Sequence, residues 1–241
     1  MIIQHNEIDS TNNYLKQLVR QQPLAEGTIV TTEFQTQGRG QQINSWYSTK
    51  GKNLLFSMLL YPKKMLANEV FFLSCITSLA IKKTLSPFVD NISIKWPNDI
   101  YWNEKKIAGI LIENSLRDGF VHHSVIGIGL NVNEQSFPSH LPNPVSLRQI
   151  TNVVHDKEQL FETFLHKFHT LYQQLEQGNS SEIKKEYMQN LYRSDNYYCF
   201  EDSNGKIKAK IIDVLPSGHL VLKTTSGEVR KYAFKEVRFV E

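Results

Sequence analysis

Hydrophobic positions in the first part of the chain switch between helical and strand-like spacing. Apolar residues between 14 and 19 recur at the intervals of an amphipathic helix that Ser10 and Thr11 would cap and that would end before Pro23. Residues 68–85 have the pattern of a second helix. Strand-like runs lie at 28–32, 53–61, 92–96, 107–113 and 121–132. Their connections are short, so several of these strands must pair as antiparallel hairpins.

The second part of the chain changes its pattern twice. Residues 134–150 contain three prolines and no clear period, which predicts a long loop, and residues 161–175 and 181–191 then have helical spacing. After Arg193, short strands alternate with turns that contain glycine, which predicts a small all-β unit. We therefore expect an α+β fold with several antiparallel hairpins and a C-terminal β-barrel-like module.

The composition excludes several classes of protein. With 40% hydrophobic and 21% charged residues among 241, the chain is globular rather than disordered or collagen-like. Its 27 basic and 24 acidic residues are scattered, which argues against nucleic acid or a membrane surface as the main partner. Cys75 and Cys199 make no disulfide framework and no zinc-type cluster. We see no secretory signal or membrane-spanning segment in the sequence and expect a cytoplasmic protein.

A glycine-rich loop is the first candidate for chemistry. A predicted strand leads to Gln35 and then to Gly38-Arg39-Gly40, with Trp46 following. Glycines let backbone N–H groups approach an anion closely, and the arginine between them adds a forked cation. The pattern predicts an anion cradle. The alternative is an ordinary exposed turn.

A second candidate is Lys95-Trp96-Pro97-Asn98-Asp99, followed by a block that contains Lys106, Gly109 and Glu113. We expect a hairpin that brings Lys95 and Lys106 near one site. The alternative is a solvated hairpin that carries lysines on its edge.

The third candidate is the strand Gly127-Ile-Gly129-Leu-Asn131, in which glycine alternates with apolar residues. Such a strand presses its backbone against a neighbour or a ligand. It lacks the third glycine and the following helix of a dinucleotide-binding loop, and the sequence has no phosphate-binding loop of the Walker type.

In this order and spacing, the three segments resemble the biotin protein ligases. Ser10-Thr11-Asn12 is similar to that family's early Ser-Thr-Asn, and Pro144-Val-Ser-Leu147 looks like a variant of its Pro-Ala-Thr-Ser-Leu stretch. The resemblance implies a class II synthetase-like catalytic domain at 1–193. This domain would have a mixed, largely antiparallel sheet with helices on one face and the ligand pocket on the exposed face. The resemblance also implies an SH3-like β domain at 194–241.

The resemblance also implies an activity. These enzymes join the biotin carboxylate to ATP, making biotinyl-5′-AMP and pyrophosphate, and then pass biotin to one lysine of a biotin carboxyl carrier domain of a carboxylase. We therefore expect ATP, with Mg²⁺ on its phosphates, biotin as substrate, and the carrier domain as partner. No DNA or membrane partner is expected, and the enzyme would be a monomer or a homodimer.

The same resemblance assigns residues to roles. Arg39 and Lys106 would supply charge at the carboxylate and phosphate, and Asp99 would orient the incoming lysine; these are the catalytic candidates. The biotin-binding candidates are Ser10, Thr11, Asn12, Gln35, Gly38, Arg39, Gly40, Lys106, Gly109 and Gly127. The nucleotide-binding candidates are Arg39, Gly40, Gln41, Trp46, Asn98, Lys106 and Asn131. No side-chain metal ligand is assigned, although Mg²⁺ on the phosphates would lie near Asn131.

For some of these residues, a purely structural role is the alternative to a role in binding. Ser10 or Thr11 could serve only as a helix cap, Trp46 could be simple core packing, and Lys95 could be a solvated strand end.

Two positions depart from the family pattern. Many bacterial members carry a second arginine where this chain has Gln41, and a glycine is usual where it has Ile43. Glutamine can donate a hydrogen bond but carries no charge, which weakens attraction for phosphate by roughly 1–2 kcal/mol. We expect the protein either to hold its adenylate less tightly or to compensate with Lys50 or Lys52.

Three other functions are alternatives to this one. A lipoate ligase or octanoyl transferase would share the fold, but its Arg-Arg-x-Ser-Gly-Gly-Gly loop is absent from the sequence. A binding module without catalysis would use the C-terminal barrel to dock a protein or nucleic acid, but it would not need both Arg39 and Lys106. A bifunctional repressor would need a helix-turn-helix domain before Ser10, so we expect a ligase that is not a repressor.

Overall fold

A seven-stranded mixed sheet forms the larger part of the molecule. The computed structural model describes residues 1–41 and 44–240. The strands are β1 (Ile2–His5), β2 (Ile29–Thr32), β3 (Leu54–Leu60), β4 (Ile92–Lys95), β5 (Asp99–Trp102), β6 (Lys105–Arg117) and β7 (Phe120–Leu130). Their order is β1-β2-β3-β7-β6-β5-β4, and only β1 and β2 pair in parallel. The predicted mixed, largely antiparallel sheet is confirmed.

Within the described residues, five α-helices accompany this sheet: α1 (Thr11–Gln21), α2 (Phe71–Leu85), α3 (Leu147–Thr151), α4 (Lys157–Glu176) and α5 (Ser180–Gln189). Helix α2 is buried along most of its length because it packs against strands β4, β5 and β6 and also against helices α4 and α5. Its face of the sheet carries Phe56, Met58, Ile126 and Ile128 in one continuous core.

Helix α1 packs on the opposite face of the sheet. Its Leu15 is fully buried and forms a separate small core with Val30, Leu59 and Val125. Because successive side chains of a strand point to opposite faces, Leu59 and Met58 of β3 belong to different cores. The expectation of helices on one face therefore holds for α2, α4 and α5, whereas α1 lies on the face that also carries the cavity described below.

The segment between Lys95 and Lys106 contains a strand that the sequence pattern did not reveal. Strand β5 pairs with β4 through Lys95 and Asp99, and with β6 through Asp99 and Gly109. The expected single hairpin is therefore wrong, and there are two hairpins in succession. The turn between β4 and β5 contains a cis peptide bond between Trp96 and Pro97.

The C-terminal part is a five-stranded antiparallel sheet. Its strands are β8 (Tyr198–Asp202), β9 (Gly205–Val214), β10 (Leu220–Thr224), β11 (Val229–Tyr232) and β12 (Val237–Phe239), in the order β11-β10-β9-β8-β12. It contacts the larger part directly, since the Trp96 indole donates a hydrogen bond to the Gly218 carbonyl at 2.9 Å. Across the described ranges, no helix has both the length and the apolar character needed to cross a membrane.

Candidate active site

A bare patch of sheet forms the floor of a cavity of about 290 Å³. Gly109 of β6 pairs with Gly129 of β7, and Gly127 lies two residues before Gly129 on the same face. The indole of Trp46 lies directly on this floor: a Cβ added at Gly129 would be 2.3 Å from its Cε2 atom, and one at Gly109 would be 2.8 Å from its Cζ3 atom. Trp46 is therefore a wall of the cavity, and the alternative of core packing is not supported.

The start of α1 supplies a polar wall. Ser10, Thr11 and Asn12 are all buried at 4% exposure or less. Gln35 accepts a hydrogen bond from the Thr11 backbone N–H at 2.8 Å and another from its hydroxyl at 3.1 Å. Ser10 occupies the N-cap position, but its side chain makes no capping hydrogen bond within the described chain. Ser10, Thr11, Asn12 and Gln35 all line the cavity, so a capping role alone does not account for these residues.

Beneath this wall, a buried serine joins α1 to the sheet. The hydroxyl of Ser57 on β3 lies 2.7 Å from Thr11 Oγ1 and 2.5 Å from Asn12 Oδ1. A Cβ at Gly127 would come within 2.0 Å of Asn12 Oδ1, so only glycine lets α1 approach the strand this closely.

Arg39 reaches the cavity from the glycine-rich loop and is held there by two acceptors. Its NH1 group donates to Asn13 Oδ1 at 2.7 Å and to Glu113 Oε2 at 3.2 Å, and its NH2 group donates to Glu113 Oε1 at 3.3 Å. Burial raises the pKa of Glu113, but hydrogen bonds from Lys16 and Asn12 and the charges of Arg39 and Lys16 outweigh it, so the pKa lies below its ordinary value. Glu113 is therefore an anion at neutral pH, and it anchors Arg39.

Lys106 lines the same cavity from strand β6. Its ammonium nitrogen lies 2.7 Å from Asp99 Oδ1 and 5.6 Å from the centre of the Trp46 ring. Both charged groups of the pair are partly exposed, with side-chain exposures of 30% and 22%. An incoming anion can therefore compete for Lys106 without first removing a fully buried charge.

The glycine-rich loop folds back on itself at the cavity mouth. The Trp46 backbone N–H donates to the Gly38 carbonyl at 2.8 Å, and that of Gly40 donates to Asn44 at 2.7 Å. Gln41 lines the cavity, and its side-chain oxygen is buried without a hydrogen-bond partner in the part of the chain that the structure describes. Ile43, the second departure from the family pattern, lies outside the described residues.

Asn98 and Asn131, both expected at the nucleotide, occupy different positions. Asn98 lines the cavity and braces β6, because its amide donates to the Ile110 carbonyl at 2.7 Å. Asn131 is buried just beyond β7, and its amide donates to the Val145 carbonyl at 3.1 Å. Its side-chain oxygen has no partner among residues 1–41 and 44–240. Asn131 thus anchors the loop that follows β7 rather than lining the cavity with Asn98.

Two further cations lie at the cavity mouth, and neither is a lysine that the sequence suggested as compensation for Gln41. Lys50 is exposed and lies 3.9 Å from Glu7, and neither it nor Lys52 lines the cavity within the described structure. Instead, Lys95 and Arg238 line it.

The surroundings of Lys95 come from both parts of the molecule. Its ammonium is 2.9 Å from the Tyr101 hydroxyl and lies over the rings of Tyr101, Tyr192 and Phe239 at 4.4, 5.7 and 5.4 Å. This enclosure does not fit a simple solvated strand end.

A profile of the biotin/lipoate A/B protein ligase family matches residues 5–131, more than half of the chain. The chain therefore belongs to the biotin/lipoate A/B protein ligase family.

Individual relatives of this ligase agree with that assignment. It is 28% identical over 236 residues to the bifunctional ligase/repressor BirA of Bacillus subtilis, covering 96% of this chain and 72% of that protein. It is 29% identical over 189 residues to biotin–protein ligase 1, chloroplastic, of Arabidopsis thaliana, covering 74% of this chain and 50% of that protein. The structure of biotin protein ligase from Aquifex aeolicus in complex with biotin and ATP matches with a TM-score of 0.82 at 26% identity, covering 99% of both chains.

These findings confirm the predicted family, the α+β fold class and the assignment as a ligase enzyme. The glycine floor, the polar wall and the two cations Arg39 and Lys106 also meet in one cavity, as the sequence motifs suggested.

Sequence reasoning missed several residues that line this ligase's cavity or contact its walls from behind. Ser57 could have been suspected, because it is the lone hydroxyl in the apolar run of β3. Glu113 was noted within its block but given no role. Phe234, Arg238 and Phe239 line the cavity mouth from the C-terminal sheet, and no local pattern links them to a site more than 100 residues earlier.

Proposed function

We propose that this ligase activates biotin with ATP to biotinyl-5′-AMP and transfers biotin to one lysine of a biotin carboxyl carrier domain. The observation that carries the proposal is the convergence of Arg39 and Lys106 on one cavity whose floor is glycine and whose wall is neutral and polar. A flat bicyclic acid needs a bare floor for its rings, hydrogen-bonding groups for its ureido head and cations for its carboxylate. The Aquifex aeolicus relative, bound to biotin and ATP, supports the same ligands here.

The biotin head would face the wall at the start of α1. Ser10, Thr11, Asn12 and Gln35 offer hydroxyl and amide groups that can pair with the ureido N–H and carbonyl groups. Gly109 and Gly127 would let the rings approach the backbone after the Trp46 ring, which lies over Gly109 in this structure, moves aside. Gly38 and Gly40 would let the loop close over the ligand.

In the first step, a carboxylate oxygen of biotin attacks the α-phosphorus of ATP. The bond from that phosphorus to the β-phosphate bridging oxygen breaks, and pyrophosphate leaves. Two anions must approach each other, so Arg39 and Lys106 would neutralise the carboxylate and the α-phosphate in the transition state. Lys106 would exchange its contact with Asp99 for one with the reacting groups.

In the second step, the amine of the carrier lysine attacks the acyl carbon of the adenylate, and AMP leaves. The amine must lose a proton as the amide forms. Asp99 would orient this amine once Lys106 has turned to the phosphate, because the two side chains are paired at 2.7 Å at the cavity edge.

The remaining nucleotide contacts would come from Gln41, Trp46 and Asn98, which line the cavity. Trp46 would wall the adenylate. Within the described residues, no cluster of three His, Cys, Asp or Glu side chains could hold a metal ion. Mg²⁺ prefers oxygen ligands, retains several waters and binds largely through substrate phosphates. Asn131, which was expected near this ion, is buried and does not line the cavity, so phosphate oxygens and water would supply most of the ligands, and the ion would add positive charge at the phosphates.

Two further parts of the proposal concern organisation and partners. Residues 1–193 would act as the catalytic domain and 194–241 as an SH3-like domain that contributes to the cavity mouth. The carrier domain would be the protein partner, and the ligase would not repress transcription. A specific footprint of the purified protein on operator DNA would contradict the last point.

The first test is pyrophosphate release by purified protein with ATP, Mg²⁺ and either biotin or lipoate. We expect release with biotin and little with lipoate. Release with lipoate alone would instead assign a lipoate ligase. No release with either acid would support a binding module without catalysis.

A further inference from the structure

Glu113 is the centre of a charge network at the edge of the cavity. Its Oε1 atom accepts from the Lys16 ammonium at 2.7 Å and from Arg39 at 3.3 Å, and its Oε2 atom accepts from the Asn12 amide at 3.0 Å and from Arg39 at 3.2 Å. A carboxylate offers about four acceptor positions, so this one is fully used. Its donors come from helix α1 and from the glycine-rich loop.

The four contacts are not equally strong. The contact with Lys16 has the length of a good charge-assisted hydrogen bond, whereas both contacts with Arg39 are longer than the usual 2.7–2.9 Å or so. The Arg39 side chain is also 35% exposed. Without the carboxylate, Arg39 would face the ammonium of Lys16 as a like charge, and solvent would be open to it.

We propose that Glu113 is a positioning residue that keeps the Arg39 guanidinium turned into the cavity for the acid substrate. This inference rests on the proposed function. The bidentate contact uses one N–H of each terminal nitrogen, and Asn13 uses a second N–H of NH1. Nε and the second N–H of NH2 remain as donors for a carboxylate or phosphate, since neither makes a hydrogen bond to a described residue.

Substitutions of Lys16 and Asn13 distinguish this positioning role of Glu113 from a merely structural role. If Glu113 served only to tie α1 to β6, loss of Lys16 would damage the enzyme as much as loss of Glu113. If Glu113 acts through Arg39, loss of Lys16 leaves both contacts of Arg39 with the carboxylate in place, together with the contact of Asn12. Loss of Asn13, the other acceptor for Arg39, should then have a milder form of the Glu113 effect.

The test is a double-mutant cycle on biotin-dependent pyrophosphate release, using Glu113→Gln and Arg39→Met in the full chain. We expect Glu113→Gln to lower kcat/KM for biotin about tenfold in the wild-type background and less than about twofold in the Arg39→Met background. KM for biotin should rise more than KM for ATP. Lys16→Met should stay within about twofold of wild type, and Asn13→Ala should lose about threefold, an effect that vanishes in Arg39→Met.

Melting temperatures of all variants show whether they are folded. If Glu113→Gln does not fold, the cycle that combines Asn13→Ala with Arg39→Met tests whether the acceptors of Arg39 act through its position. Additive losses from Glu113 or Asn13 and Arg39, or an equal loss from Lys16→Met, would overturn the role of Glu113 while leaving the proposed function intact. A folded wild-type protein without biotin-dependent release would contradict the proposed function and this inference together.

Discussion

The two faces of strands β6 and β7 carry opposite kinds of side chain. One face presents Gly109, Gly127 and Gly129 to the cavity, and the other presents Ile126 and Ile128 to the core under α2. Neighbouring residues of one strand therefore have different tasks. The bare face gains little stability from burial, so the opposite face must supply the stability that keeps the floor flat.

Among substitutions on the cavity face, we expect replacement of Lys106 to lower activity the most. Lys106→Met removes one of the two cations proposed for the carboxylate and α-phosphate, so biotin-dependent pyrophosphate release should fall about 10²–10³-fold with the melting temperature little changed. The matched control is Lys105→Met, because Lys105 is exposed and adjacent in sequence but does not line the cavity. Equal losses in both variants would show that net charge, rather than the position of Lys106, matters.

The next comparison separates the two faces directly. Gly129→Ala places a methyl group 2.3 Å from the Trp46 ring, which must move, so activity should fall about 100-fold while urea stability changes little. Ile126→Ala removes a fully buried side chain from the other face and should lower the free energy of unfolding by about 2–5 kcal/mol. The folded fraction of Ile126→Ala should retain near wild-type activity. Kinetics and urea unfolding of both variants check this, and the same pattern in each would remove the distinction between the faces.

A substitution at Gln41 tests how tightly the cavity face retains the adenylate. Gln41→Arg adds a cation where the side-chain oxygen is now buried and unpaired within the described residues, so release of free biotinyl-AMP should slow about tenfold. Gln37→Arg is the control, since it adds the same charge to an exposed position of the same loop outside the cavity. The rate at which free biotinyl-AMP is released in the absence of the carrier domain tests this prediction. If wild type releases it no faster than Gln41→Arg does, weak retention of the adenylate by wild type is excluded.

The smallest expected effect is a change with pH in the stability difference between wild type and a variant. Of the two faces, we expect it on the cavity face, where Glu113 lies. The pKa of Glu113 is lower in the folded protein than its ordinary value of 4.5, so its stabilising contribution is present above that value and is lost as the pH falls through the folded-state pKa. The difference in urea midpoint between wild type and Glu113→Gln should therefore be larger at pH 7 than well below pH 4.5. The corresponding difference for Ile126→Ala should not change in this way. A Glu113→Gln difference that grows in acid would reverse the assigned sign.

Local patterns in the sequence were enough to predict much of this arrangement. Glycines at alternate positions, as in Gly127 and Gly129, predict a bare strand face because the side-chain period of a strand is two. The apolar spacing of residues 161–175 and 181–191 predicts two helices, which the structure contains as α4 and α5. Arg39 and Lys106 were candidates from their own motifs, and the resemblance to known ligases added the expectation that both act on one ligand, which no local pattern could give.

Long-range contacts account for what was not predicted. Glu113 meets Lys16 and Arg39 across 97 and 74 residues, and Arg238 arrives at the cavity from a strand near the end of the chain. Strand β5 was missed because its four residues follow a proline-containing turn and are too few to show a period.

The most direct test of the central claim is the mass of a biotin carboxyl carrier domain after incubation with this ligase, biotin, ATP and Mg²⁺. The account predicts a gain of one biotinyl group on a single lysine with wild type, the same gain with Lys105→Met, and little or none with Lys106→Met or with lipoate in place of biotin. Transfer that is unchanged in folded Lys106→Met, or that proceeds equally well with lipoate, would contradict it.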